Sequence, residues 1–157
     1  MQHDAGCSLC DKIKNARTKH GEELVWEFKH SVAFLGPWQF YEGYCIVTAR
    51  HHFTELFQLT ADERHAIIDE VALMAKAIHV VVKPQKINYE WLGNQVPHMH
   101  WHLFPRHKSD PNHLQAPWID IAKAEKEAAI RQQWQHCARG RTALQIALQH
   151  EIQQLLK

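Results

Sequence analysis

Between His98 and Leu103 the chain reads HMHWHL, a titratable ring at every second position and an apolar side chain at each position between. A period of two commits a segment to a β-strand, because successive side chains there point to opposite faces. His98, His100 and His102 would then share one face of a sheet, and Met99, Trp101 and Leu103 the other. Three uses compete for such a cluster. It is a solvated or hydrogen-bonded strand face, a metal site built on neutral imidazole, or a phosphoryl-transfer site in which one imidazole attacks and its neighbours supply protons and positive charge.

The flanking sequence supplies the rest of the sheet. After a short helix over CSLCDKIKNA, ELVWEF (23–28) and SVAFLG (31–36) read as two strands with a turn at Lys29 and His30. GYCIVTA (43–49) is a third strand, buried on both faces by its composition. LTADERHAIIDEVALMAKAI opens with Thr60 and Glu63 at capping-box spacing, and Ile67, Val71, Met74, Ala75 and Ile78 follow at helical intervals. KINYEWL (86–92) returns as a strand, Gly93-Asn94 turn the chain, and the histidine strand runs until Pro105 stops it. From Ile119 onward helix formers dominate, with Gly140 breaking them into two helices. The predicted class is α+β: an antiparallel sheet, one main helix and a helical C-terminal extension over about 117–157.

A chain of 157 residues suits one domain, 1–157, able to bury roughly 70% of its unfolded surface. Eighteen basic residues against seventeen acidic ones leave a formal charge of +1, which draws neither nucleic acid nor an acidic membrane surface from a distance. A phosphate ligand would have to be held locally. The opening MQHDAGCSLCDKIK lacks a signal-peptide core, and no stretch approaches the ~20 apolar residues of a membrane span, so the expected place is the cytoplasm. Cys7, Cys10, Cys45 and Cys137 are too few and too unevenly spaced for a disulfide framework, and reduced thiols are expected.

HMHWHLFPR resembles the His-x-His-x-His-x-x motif of the histidine triad (HIT) superfamily. Together with LGNQVP before it, GYCIVTARHHFTEL and the N-terminal CSLC, over about 7–106, it resembles a bacterial branch labelled diadenosine tetraphosphate hydrolase-like. The resemblance implies a HIT-like fold, a homodimer, a small-molecule nucleotide substrate cleaved at its α-phosphate, and no organic cofactor. It implies that His100 is the nucleophile, its second ring nitrogen held by a backbone carbonyl. His102 would stand near the scissile oxygen, where a protonated ring stabilises the leaving group, and His98 would line the same face. No magnesium is required by that scheme. Asn94 and Gln95 would be phosphate-side ligands, unless Asn94 is only a turn residue after Gly93. Many relatives carry Gly-His before the central strand; Gly43-Tyr44 stands here, so that histidine's role does not carry over. Phe34 or Trp38 could stack on the base, against the alternative of core packing, which is also expected of Trp101. Trp91 and Trp118 receive no assignment.

Cys7 and Cys10 are spaced C-x2-C, a turn that brings two thiolates to one zinc ion. The resemblance implies a structural zinc completed by His98 and by His52, with His51 as the alternative. Two unligated thiols are the plain alternative; a redox dithiol lacks the expected βαβ context. The leading function is a nucleotide hydrolase or transferase working through a nucleotidyl-His100 intermediate, on a dinucleoside polyphosphate, a nucleoside phosphoramidate or another adenylylated compound. A nucleotide-binding regulatory module with little turnover is the alternative. A zinc hydrolase using all three histidines lacks a general-base carboxylate near HMHWH.

Overall fold

The computed structural model describes residues 4–157; Met1, Gln2 and His3, which begin the stretch read as lacking a signal-peptide core, lie outside the described residues. Five strands form one antiparallel sheet: β1 (Leu24–Glu27), β2 (Ser31–Leu35), β3 (Cys45–Ala49), β4 (Lys86–Glu90) and β5 (His100–Arg106), in the order β1-β2-β3-β5-β4. Helices α1 (Ser8–Lys14) and α2 (Ala16–Lys19) precede it, and α3 (Ala61–Val82) links β3 to β4. Then α4 (Pro117–Ala124), α5 (Ala128–Gln135) and α6 (Arg141–Leu155) follow β5. The predicted α+β class is the one observed.

The main helix begins where the capping box puts it. Thr60 Oγ1 accepts from the Glu63 N–H at 3.3 Å, and the Glu63 carboxylate accepts from the Thr60 N–H at 2.8 Å. α3 runs past Ile78 to Val82 and stops at Lys83, whose left-handed φ of 55° precedes Pro84.

Strand register decides which residues share a face. Partners on neighbouring strands point the same way, so Phe34, Ile46, His102 and Glu90 form one row, and Val32, Thr48 and His100 the next. Ala33, Val47 and Trp101, with Leu35, Cys45 and Leu103, point the other way and are buried. α3 and α6 cover that second face: Ile67, Met74 and Ile78 meet Leu144, Leu148 and Ile152 in one apolar core. Each such side chain contributes about 1.5–3 kcal/mol by leaving water. Trp101 belongs to this core, and Trp91 packs on it with ring centroids 5.5 Å apart.

Cover on the histidine face comes in two patches. Ile13 and Ala16 lie over Val32 and Phe34 at one end, while Ile121 and Ala124 pack with Tyr41, Tyr44 and Phe104 at the other. The sheet between them stays open.

Three expectations need correction. The histidine strand starts at His100, not His98, because the His98 N–H closes a tight turn onto the Val96 carbonyl at 2.8 Å around Pro97. Pro105 does not stop it either. Pairing with β3 ends at Leu103 opposite Cys45, so beyond it Pro105 deprives no ladder on that side and β4 alone carries the strand to Arg106. The C-terminal region holds three helices rather than two, since the chain breaks between Ala124 and Ala128 as well as at Gly140. No helix among the described residues is long and apolar enough to cross a membrane.

Candidate active site

β5 carries His100 and His102 onto the open face, with their rings edge-to-face at 4.8 Å. His100 Nδ1 sits 2.6 Å from the carbonyl oxygen of His98. A carbonyl only accepts, so Nδ1 carries the proton and Nε2 of the neutral ring keeps a bare lone pair. Burial lowers the His100 pKa and so favours the neutral ring, an effect partly opposed by that hydrogen bond. The arrangement presents a nucleophilic nitrogen.

His102 Nδ1 lies 2.7 Å from the Tyr44 hydroxyl, and the Trp118 ring meets its imidazole edge-on at 4.8 Å. Burial, with a smaller effect of a charge on His100, lowers the His102 pKa to about 3. The protonated ring that the resemblance implies is therefore neutral in this environment. Across the row, burial raises the Glu90 carboxyl, partly offset by the Trp118 indole and the Arg106 guanidinium.

These histidines border a cavity of about 450 Å³, within the range of small-ligand sites. Ile46 shares its floor, Asn94 and Gln95 line it from the loop before β5, and Trp118 and Glu125 line it from α4 and the residue after it. No lysine or arginine is among its lining residues, so a phosphate there would meet amides, backbone N–H groups and imidazole instead of a cation. Phe34 and Trp38 do not line it. Phe34, 1% exposed, lies under Ile13 and Ala16, and Trp38 packs with Tyr41 and Ile121.

The His98 ring stands apart from the cavity and joins Cys7, Cys10 and His52. Cys7 caps the N-terminus of α1, Cys10 sits in its first turn, His52 follows β3 and His98 precedes β5. The four ligand atoms lie within 4.8 Å of one another. Cys7 Sγ is 3.4 Å from His98 Nδ1, and Cys10 Sγ is 3.5 Å from both His98 Nδ1 and His52 Nδ1. Tetrahedral zinc with ordinary Zn–S and Zn–N bonds separates S and N ligands by about 3.5 Å, so the donor set fits the ion. His98 Nε2 lies 2.8 Å from the Ala49 carbonyl, which fixes the tautomer that leaves Nδ1 bare for a metal. Burial pushes the Cys10 thiol up, and a bound cation would reverse that. His51 packs against Phe53 and is not in the cluster.

Of the sequence-derived candidates, then, His100, His102, Asn94 and Gln95 meet at the cavity, while Cys7, Cys10, His52 and His98 meet beside it. Tyr44, Glu90 and Trp118 escaped the sequence reading. Strand register would have put Glu90 opposite His102; no local pattern brings Trp118 to the site from beyond β5.

Comparison with known proteins agrees with this architecture. The profile of the family described as HIT domain matches residues 17–109, over half of the chain. Over 110 residues the chain is 23% identical to an uncharacterized HIT-like protein of Mycoplasma genitalium, spanning 67% of this chain and 76% of that one. Among solved structures it is similar to a zinc-bound histidine triad family protein from Mycobacterium smegmatis, with a TM-score of 0.65 and 15% identity, covering 96% of this chain and 95% of that one. A hypothetical histidine triad nucleotide-binding protein from Sulfolobus tokodaii gives a TM-score of 0.61 and 19% identity, covering 92% and 93%. At these identities the shared property is the fold.

Proposed function

The chain belongs to the HIT domain family, and from that premise we propose that it is a nucleotide hydrolase or transferase of the diadenosine tetraphosphate hydrolase-like branch, acting through a nucleotidyl-His100 intermediate. The observation that carries this reading is the 2.6 Å contact from His100 Nδ1 to the His98 carbonyl, which leaves Nε2 as the attacking atom of a ring that lines the cavity. Nε2 bonds to the α-phosphorus of a dinucleoside polyphosphate or nucleoside phosphoramidate as the bond to the leaving group breaks. Water then cleaves the phosphorus–nitrogen bond, releasing nucleoside monophosphate and the free imidazole. Asn94 and Gln95 hold phosphate oxygens, and His102 faces the departing atom.

Cys7, Cys10, His52 and His98 would hold a structural zinc, which would supply a cross-link between α1, the chain leaving β3 and the chain entering β5. The zinc-bound relative supports that assignment. No organic cofactor takes part. The exposed Ile68 and Val80 on α3 and the outer edge of β4, with exposed Tyr89, leave surface for a second copy in a homodimer. The substrate is a free nucleotide in the cytoplasm; neither nucleic acid nor membrane is a partner.

The test is incubation with a panel of dinucleoside polyphosphates and nucleoside phosphoramidates, products separated by chromatography and the adduct located by peptide mass spectrometry. Nucleoside monophosphate should be found on His100, and His100→Ala should abolish cleavage while holding nucleotide binding within about tenfold. Normal turnover by His100→Ala would overturn the mechanism. Tight binding by the wild-type protein with no turnover of any substrate would instead make it a binding module.

A further inference from the structure

Resting on that reading of the site, we propose that Tyr44 is a positioning residue: its hydroxyl donates to His102 Nδ1 and so presents a neutral Nε2–H donor to the leaving group.

The placement of Tyr44 is built in from both sides. Gly43 has φ of +90°, and a Cβ there would come within 2.7 Å of Val82, so the turn into residue 44 needs glycine. The Tyr44 carbonyl accepts from the Gly36 N–H at 2.8 Å and from Gln39 Nε2 at 2.9 Å. Its ring stacks on Phe104 with centroids 4.0 Å apart and planes at 12°. Behind it stands Gly36, where a Cβ would fall 2.3 Å from two ring carbons. The ring is 1% exposed and has one place to be.

Hydrogen-bond accounting then fixes the direction. Among the described residues, His102 Nδ1 is the partner recorded for the buried Tyr44 hydroxyl. Were the hydroxyl to accept from an Nδ1–H, its own proton would lie buried without an acceptor, at a cost of about 1–3 kcal/mol. The hydroxyl therefore donates, and the single proton of a neutral His102 sits on Nε2. Burial pushes the phenol well up, so Tyr44 holds its proton and is not a relay. Trp118 edge-on and Phe104 nearby keep the imidazole plane in register with the cavity. A fixed donor aimed at developing charge needs no reorganisation at the moment of reaction.

The experiment combines nuclear magnetic resonance of ¹⁵N-histidine-labelled protein with leaving-group kinetics, on wild type and Tyr44→Phe. The wild type should show His102 protonated at Nε2 and unprotonated at Nδ1, with a slowly exchanging Tyr44 hydroxyl proton in Overhauser contact with that ring. Tyr44→Phe should shift the His102 tautomer populations and lower kcat by about tenfold or more for poor leaving groups, with KM within about twofold. A wild-type ring protonated at Nδ1, or an unchanged tautomer in Tyr44→Phe, overturns the proposal. The hydroxyl resonance decides it even if the variant does not fold. If the wild type turns over no nucleotide, the proposed function fails while the spectra still decide the tautomer.

Discussion

Arg106 ends β5 as a buried cation, and its removal should be the costliest single change on the histidine face. Its side chain is 4% exposed, with Nε 3.3 Å from the Asp110 carboxylate, itself 9% exposed. One terminal nitrogen donates to Asn88 Oδ1 at 2.9 Å and to the Gln115 carbonyl at 2.8 Å, the other to the Asn112 carbonyl at 3.2 Å. The guanidinium also lies over the Tyr41 ring at 5.2 Å. One side chain thus ties β4 and the loop after β5 together just before Pro117 opens α4.

Arg106→Met keeps an apolar stem against Tyr41 but strands the Asp110 carboxylate and two carbonyls. Breaking a buried pair from one side costs about 3–5 kcal/mol. Asp110 keeps the His107 N–H at 2.8 Å, so the lower end, about 3 kcal/mol, applies. At about 2–4 °C per kcal/mol for a chain of this length, the melting temperature should fall by roughly 6–12 °C in calorimetry. Arg139→Met is the control: its pair with Glu42, at 3.0 Å, has side chains 39% and 25% exposed. Such a pair is worth under about 1 kcal/mol. Arg106→Met melting no lower than Arg139→Met would refute the reasoning. Because Trp118 enters the cavity from α4, nucleotide affinity should weaken in Arg106→Met alone.

Two further outcomes follow from the site. Cys7→Ser with Cys10→Ser should reduce metal from one zinc per chain to none by elemental analysis and lower the melting temperature, since thiolate ligation couples metal binding to folding; undiminished zinc would contradict the assignment. His102 titrates near 6.5 when unfolded and at about 3 when folded. Between those values the unfolded chain binds a proton that the folded one refuses, so this group's contribution is complete above pH 6.5 and is lost as pH falls toward 3. Melts at pH 7 and pH 5 should therefore show a smaller acid loss for His102→Gln than for wild type, and equal losses would count against a buried neutral His102.

The sequence spoke clearly wherever a local rule was sufficient. Thr60 and Glu63 announced α3 because a capping box is satisfied within one helical turn, and the alternation around Trp101 announced β5 because strand geometry repeats every two residues. It misplaced what depends on neighbours. Pro105 is tolerated because β3 has already ended, a fact held in the register of another strand. Phe34 offers no face to a base because α1 and α2 fold over it, and Trp118 enters the cavity from a helix that the sequence could place only as an extension. The period-two rule also overreached at His98, where Pro97 bends the backbone before the ladder begins.

That bend gives His98 its two tasks. Its ring leaves the face that carries His100 and His102 for the thiols, with Nδ1 turned to Cys7 and Cys10 and Nε2 tied to the Ala49 carbonyl. Its carbonyl stays behind and takes the proton-bearing Nδ1 of His100 at 2.6 Å. On the proposed reading, the first histidine thus contributes a backbone acceptor to the nucleophile and a side chain to the zinc site. The ring is 0% exposed with contacts at both nitrogens, so one residue stands between the cysteine cluster and the carbonyl that meets His100. On the other side, the buried Tyr44 hydroxyl meets His102 Nδ1 at 2.7 Å, and the His102 side chain lines the cavity. If the proposed tautomers hold, a bare Nε2 on His100 and an Nε2–H on His102 would let the proposed mechanism push on phosphorus and pull on the departing atom with both rings uncharged.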